Sequence, residues 1–107
     1  MRAYELMVIF KADTDESTIQ TTVNRLETMA NEANGTLEKL DKWGIRPFAF
    51  EIQKAREGFY VVLEFLAPIA LSEIDRTLRL ADEVIRHKFI RLPLDEAHRR
   101  GLAGATA

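Results

Sequence analysis

The residues best suited to chemistry lie in the run Lys42-Trp43-Gly44-Ile45-Arg46-Pro47-Phe48-Ala49-Phe50-Glu51-Ile52-Gln53-Lys54. It holds the only tryptophan of the chain, beside a glycine that can bend the backbone where other residues cannot. An arginine follows, then an aromatic, β-prone stretch. A planar guanidinium fork and displayed rings recognise anions and flat surfaces. They make no nucleophile, metal cage or nucleotide loop, so the run points to binding more than to catalysis.

The other candidate groups support that direction. His87 and His98 are the only histidines, and their spacing fits no metal motif. His87 alternates with Ile85 and Phe89, as a half-buried structural histidine would. The chain has no cysteine, which excludes disulfides, thiolate catalysis and cysteine metal sites. Gly35, Gly44, Gly58, Gly101 and Gly104 form no phosphate-cradling loop. A phosphate loop after the first strand would need an arginine. Lys11-Ala12-Asp13-Thr14-Asp15-Glu16 would instead repel an anion. The carboxylates, Asp82-Glu83 among them, fall at helix starts and on exposed faces, where they cap and solubilise. The expectation is a protein that is not an enzyme, with no catalytic residue, metal, cofactor or small-molecule substrate.

At 107 residues and a formal net charge of −2, the chain reads as one domain without the strong basic footprint of an independent nucleic-acid binder. Its charge is uneven: seven acids and two bases from Asp13 to Asp41, seven bases and four acids from Arg76 to Arg100. A local basic face is therefore compatible with an acidic total. Arg2, Arg46, Arg79, Arg86, Lys88 and Arg91 recur near strand ends and on the last strand, suited to phosphate. The alternative is a solvated rim of internal ion pairs. The start lacks the features of a signal peptide, and no apolar run nears the roughly 20 residues of a membrane span. A cytoplasmic protein without membrane contact is the default expectation.

Positioning these groups requires a fold. Tyr4 to Phe10 reads as a central strand with both faces apolar. Asp13 with Glu16 suggests a capping box for a helix bearing Ile19, Val23, Leu26 and Ala30, ended by Asn34-Gly35 with glycine in the left-handed stop. Thr36 to Lys42 and Ile45 to Lys54 read as one long strand interrupted at Trp43-Gly44. Ala55 to Gly58 reads as a hairpin connection, and Phe59 to Leu66 as a third strand. Ser72 with Asp75 opens a second helix whose stripe is Leu71, Ile74, Leu78 and Ala81. Val84 to Leu92 is the last strand. The order predicts an α+β, ferredoxin-like βαββαβ domain over residues 1–93: a four-stranded antiparallel sheet with two helices on one face. Residues 94–107, including His98-Arg99-Arg100, read as a flexible tail whose removal costs little stability. On the outer sheet face Met7, Ile9, Tyr60, Val62 and Leu66 form an apolar patch for a protein partner, unless the tail folds back over it.

The chain also resembles a known family, the sixth protein of the bacterial small ribosomal subunit. The resemblance rests on Met1-Arg2-x-Tyr4-Glu5, Trp43-Gly44-x-Arg46-x-Phe48-Ala49-Phe50-x-Ile52-x-Lys54, Gly58-Phe59-Tyr60 and Val84-Ile85-Arg86-His87, and covers Arg2 to about Leu92. It implies a ferredoxin-like, non-catalytic component of the cytoplasmic ribosome. It also implies binding to the central domain of small-subunit rRNA as a heterodimer with the basic eighteenth protein of that subunit. With charge and family position together, Arg2, Tyr4, Arg46, Arg79, Arg86 and Arg91, and more weakly Lys88, are expected near RNA. Phe48-Ala49-Phe50-Glu51-Ile52 departs from the family's Leu-Ala-Tyr-Pro-Ile, removing a backbone constraint at position 51. The alternative reading is a ferredoxin-like interaction or small-molecule regulatory domain without RNA binding.

Overall fold

β1 (Arg2–Lys11) runs through the middle of the molecule because both of its faces are apolar. Tyr4, Leu6, Val8 and Phe10 point to one side, where they pack with Ile19, Val23 and Leu26 of α1 (Glu16–Glu32) and Ile74 and Leu78 of α2 (Ser72–Leu80). In this computed structural model, which describes residues 1–106, β1 pairs antiparallel with β3 (Ala55–Ala67) and β4 (Val84–Arg91). β2 (Thr36–Ile52) pairs with β3, and the sheet order is β2-β3-β1-β4. The two central strands are thus the most apolar ones, and both helices lie on one face, as the ferredoxin-like reading expects.

Several local devices differ from those expected. α1 starts after Asp15 without a side-chain cap, since Asp13 is taken up in a turn closed by Thr14 N–H donating to the Lys11 carbonyl. α2 also lacks a side-chain cap; the Asp75 carboxylate lies 2.7 Å from His87 Nε2 on β4 instead. At the end of α1 the left-handed residue is Asn34 (φ 63°), not Gly35. Gly35 N–H donates to the Ala30 carbonyl at 2.8 Å, and Asn34 N–H to that of Asn31 at 3.0 Å, the two closures of a Schellman stop. Gly35 serves close approach: a Cβ there would stand 2.6 Å from the Leu66 carbonyl oxygen.

β2 is one strand with a register shift at Lys42/Gly44, where Gly44 takes φ 84°. The hairpin to β3 closes at Gln53-Lys54, two residues with positive φ between paired Ile52 and Ala55. This is the tight primed turn that matches strand twist. Ala55 to Gly58 therefore belongs to β3, not to the connection.

The segment after Pro93, expected to be a flexible tail, is folded over residues 94–106; Ala107 lies outside the described residues. It forms α3 (Leu94–Arg99) and a Schellman stop, with Leu102 N–H on the Ala97 carbonyl at 2.9 Å and Gly101 at φ 83°. It turns back across the outer sheet face, where Ala97, Leu102 and Ala105 form a second apolar cluster with Ala3, Leu66 and Leu92. Its short length hid the periodicity, and its small side chains hid the burial.

Gly35→Ala is expected to cost about 1–3 kcal/mol of stability in urea denaturation, because the clash is with a backbone atom that cannot swing away. Asn34→Gly, at the left-handed position, is expected to be neutral or stabilising.

Candidate nucleic-acid and partner interface

The outer face of the sheet is organised in rows set by strand register. Arg86, Ile9, Tyr60 and Gly44 form one row, and Lys88, Met7, Val62 and Asp41 the next. Ile90, Glu5, Glu64 and Lys39 form a third, and Leu66 lies opposite Ala3 and Thr36 in a fourth. Directly opposed residues share a face, so parity alone assigns these side chains to the side away from α1 and α2.

The first row carries the aromatic group. Trp43 stacks on Tyr60 with ring centroids 6.2 Å apart and planes 7° from parallel. Phe48 tilts against the same tyrosine, and Arg46 Cζ lies 5.5 Å from the Trp43 ring centroid, a cation–π distance. Trp43 Nε1–H donates to Asp41 at 3.1 Å. Gly58 lets these rings sit close to β1: a Cβ there would meet Ile9 Cγ2 at 2.6 Å and Phe48 Cζ at 2.9 Å. Trp43 remains 41% exposed and Phe50 83% exposed.

The third row holds charge. Glu5 and Glu64 face each other across β1 and β3, an arrangement that repels unless a cation is shared. The Arg100 guanidinium meets Glu5 at 2.9 Å and Glu64 at 3.0 Å, and its Nε–H donates to Glu96 at 2.8 Å. Lys39 lies 3.8 Å from Glu64 and donates to the Arg100 carbonyl. Arg100, with Arg99 after it, holds the Glu96 carboxyl below the usual carboxylate range, and its three carboxylate partners raise the Arg100 guanidinium further.

The residues expected near RNA fall into four places. Arg46 and Arg86, with Lys88, lie on the outer face. Arg2 and Arg91 line one groove of about 390 Å³ with Leu92, Pro93, Leu94 and Thr106, at the end of the sheet. Among the described residues, no carboxylate stands within ion-pair distance of these five cations. Arg79 differs: it lies on α2, 3.5 Å from Asp75. Tyr4 differs as well, being buried in the core with its ring edge-on to Phe89.

The expected partner face is smaller than its sequence suggests. Ile9 and Val62 retain only 6% and 9% exposure, and Leu66 lies beneath the C-terminal segment. Met7 and Tyr60 are half-buried and present what remains. The Arg100 cluster was missed altogether. Its signal was present: Pro93, acids at Asp95 and Glu96, bases at His98 and Arg99, then Gly101, the charge order of a helix with its stop. His87, 13% exposed and bound to Asp75, is structural as expected. Among the described residues, no cluster of His, Asp and Glu could hold a metal ion.

A family model described as ribosomal protein S6 matches residues 3–91. The chain belongs to the ribosomal protein S6 family. Within that family it is 44% identical over 92 residues to the small ribosomal subunit protein bS6 of Micrococcus luteus, covering 85% of this chain and 91% of that one. The bS6 protein of Carboxydothermus hydrogenoformans is 41% identical over 92 residues, 85% of this chain and 96% of that one. The crystal structure of 30S ribosomal protein S6 from Thermotoga maritima superposes with a TM-score of 0.80 at 30% identity, over 96% of this chain and 97% of that one. The S6 family is a structural, non-enzymatic one of the small ribosomal subunit. The matched span ends with β4, so α3 and the Arg100 guanidinium lie beyond it.

Acid should release the C-terminal segment first. A carboxyl whose value is depressed on folding stabilises fully above its ordinary value near 4.5, and that contribution disappears as pH falls through the lowered one. Glu96 behaves so among Glu5, Glu64, Asp95, Lys39, Arg99 and Arg100. Between pH 6 and pH 2, two-dimensional NMR is expected to show Leu102 and Thr106 leaving their folded positions before Leu63 of the central sheet. Simultaneous loss of all three would show that the segment is not a separate unit.

Proposed function

We propose that this S6-family chain binds the central domain of small-subunit rRNA together with the eighteenth small-subunit protein. The observation that carries the RNA side is the state of its cations. Among the described residues, Arg2, Arg46, Arg86, Lys88 and Arg91 have no carboxylate within ion-pair distance, while Arg79 and Arg100 do. Cations left free at two places along the sheet are suited to phosphates held in a fixed register. Tyr4 has no such role in this reading, since its ring is a core group; Arg79 keeps one only by giving up Asp75.

Met7 and Tyr60, backed by Ile9 and Val62, are the proposed contact for the protein partner, with Leu66 at its margin. A basic partner also offsets the net charge of −2 and adds counterion release that this chain alone cannot supply. Contacts of this kind position a protein on RNA without reading its bases.

With the protein partner present, Arg46→Ala and Arg86→Ala are each expected to weaken rRNA binding across sequence variants about equally. Each should flatten the slope of log affinity against log salt by roughly one unit or less. Unchanged affinity and slope in both variants would remove them from the interface. Met7→Lys is expected to weaken partner binding by about tenfold or more, since it sets a second cation opposite Lys88 in a contact for a basic protein. Equal heats of binding for wild type and variant in calorimetry would move the partner elsewhere.

A further inference from the structure

The segment that follows β4 is attached to the outer face in a particular way. Leu92 N–H donates to the Ala3 carbonyl at 2.9 Å, and Thr106 N–H to that of Met1 at 2.6 Å, so the segment is pinned at both ends. Between the pins its apolar contacts come from one leucine and two alanines, Leu102, Ala97 and Ala105. Gly104 passes so near Leu66 that a Cβ there would stand 2.9 Å from Leu66 Cδ1. Two alanines and one leucine bury little area, so hydrophobic attachment is modest. The strong element is Arg100, which neutralises Glu5 and Glu64. Removing the segment would uncover an apolar row, Ala3 and Leu66, and an acidic pair, Glu5 and Glu64. The Glu5–Glu64 row adjoins the Met7–Val62 row, and the Ala3–Leu66 row follows it.

We infer that residues 94–106 are a resident competitor for the protein partner's seat, and that the basic partner displaces them. In the free chain Arg100 satisfies the two opposed carboxylates and Leu102 covers Leu66. In the complex, cationic and apolar side chains of the partner take those places, and the seat extends from Met7 and Tyr60 to Glu5, Glu64 and Leu66. The charge supports a basic occupant: the uncovered rows expose two carboxylates, with Lys39, at 3.8 Å from Glu64, the one other cation paired with them among the described residues. The segment lies beyond the span that the family model matches, residues 3–91. The inference rests on the proposal that the outer face receives a basic protein.

The test uses the full chain and the eighteenth small-subunit protein as the probe. Hydrogen exchange is followed at Leu102 and Thr106, whose amides are held by Ala97 and Met1. Saturating partner is expected to speed their exchange at least tenfold. Arg100→Gln, which loosens the anchor, and Leu102→Asp, which loosens the apolar contact but leaves Arg100, are each expected to tighten partner binding by roughly five- to tenfold. Using both variants separates release of the segment from damage to one contact. Protection retained or increased in the complex, or unchanged or weaker binding by both variants, would overturn the competition while leaving the partner face standing. No binding by wild type or by either variant would overturn the partner reading, and this inference with it.

Discussion

Two carboxylates that face each other across the central strands set the terms for the outer side of this sheet. Glu5 and Glu64 are opposed in register, and Glu64 is buried. Like charges at that spacing cannot both be left alone in a region from which water is largely excluded. The chain answers with Arg100, brought back from 36 residues beyond Glu64. That single requirement explains why a run rich in charge and small residues after β4 is folded at all. It also divides the outer face: an acid-lined, covered end, and an end beside Trp43 and Tyr60 where Arg46, Arg86 and Lys88 make no ion pair among the described residues. Removing one partner of such a network costs more than the network contributes in total, because a buried charge is left behind.

The fold was legible because hydrophobic periodicity and strand parity agree throughout residues 2–91. β1 announced its central place through two apolar faces, and the helices through stripes of Ile, Val and Leu. What was not legible was the fine chemistry of the ends. Asn34 and Gly35 are neighbours, and which takes the left-handed position depends on how near Leu66 comes, a tertiary fact. The hairpin was placed late because Gly58 looks like a turn residue. Its glycine is demanded by Ile9, Phe10 and Phe48 instead. Asp75 looked like half of a capping box, yet His87 sits closer and claims it.

The candidate interface was legible in kind more than in extent. Strand parity gathered Met7 and Tyr60 on one face, and charge with family position singled out Arg46 and Arg86 without saying that they share it. These signals could not show that Tyr4 turns inward, that Arg79 already has Asp75, or that Ile9 and Val62 are nearly covered. The C-terminal segment was misread for a physical reason. Its packing uses alanine, glycine and one arginine, which carry almost no hydrophobic signal, and its acceptor site is built from residues far away in sequence.

The hairpin of β2 and β3 extends past the end of β1, whose last pairing is Lys11 with Gly58. Beyond it, Pro47 to Ala55 forms a ribbon of two strands with no third strand in its ladder among the described residues, and a shift of register falls between Pro47 and Ile52. Phe48 leans on Tyr60 and Gln53 Nε2–H donates to the Ile85 carbonyl at 3.4 Å, but a two-stranded ribbon with so few supporting contacts is marginal by itself in water. Its amides can therefore open to solvent without disturbing the core, at a small fraction of the global unfolding free energy. Phe50, at 83% exposure, rides on that ribbon. The arm can thus reshape on contact at little cost to the domain, so a surface that meets it encounters a compliant probe mounted on a rigid plate.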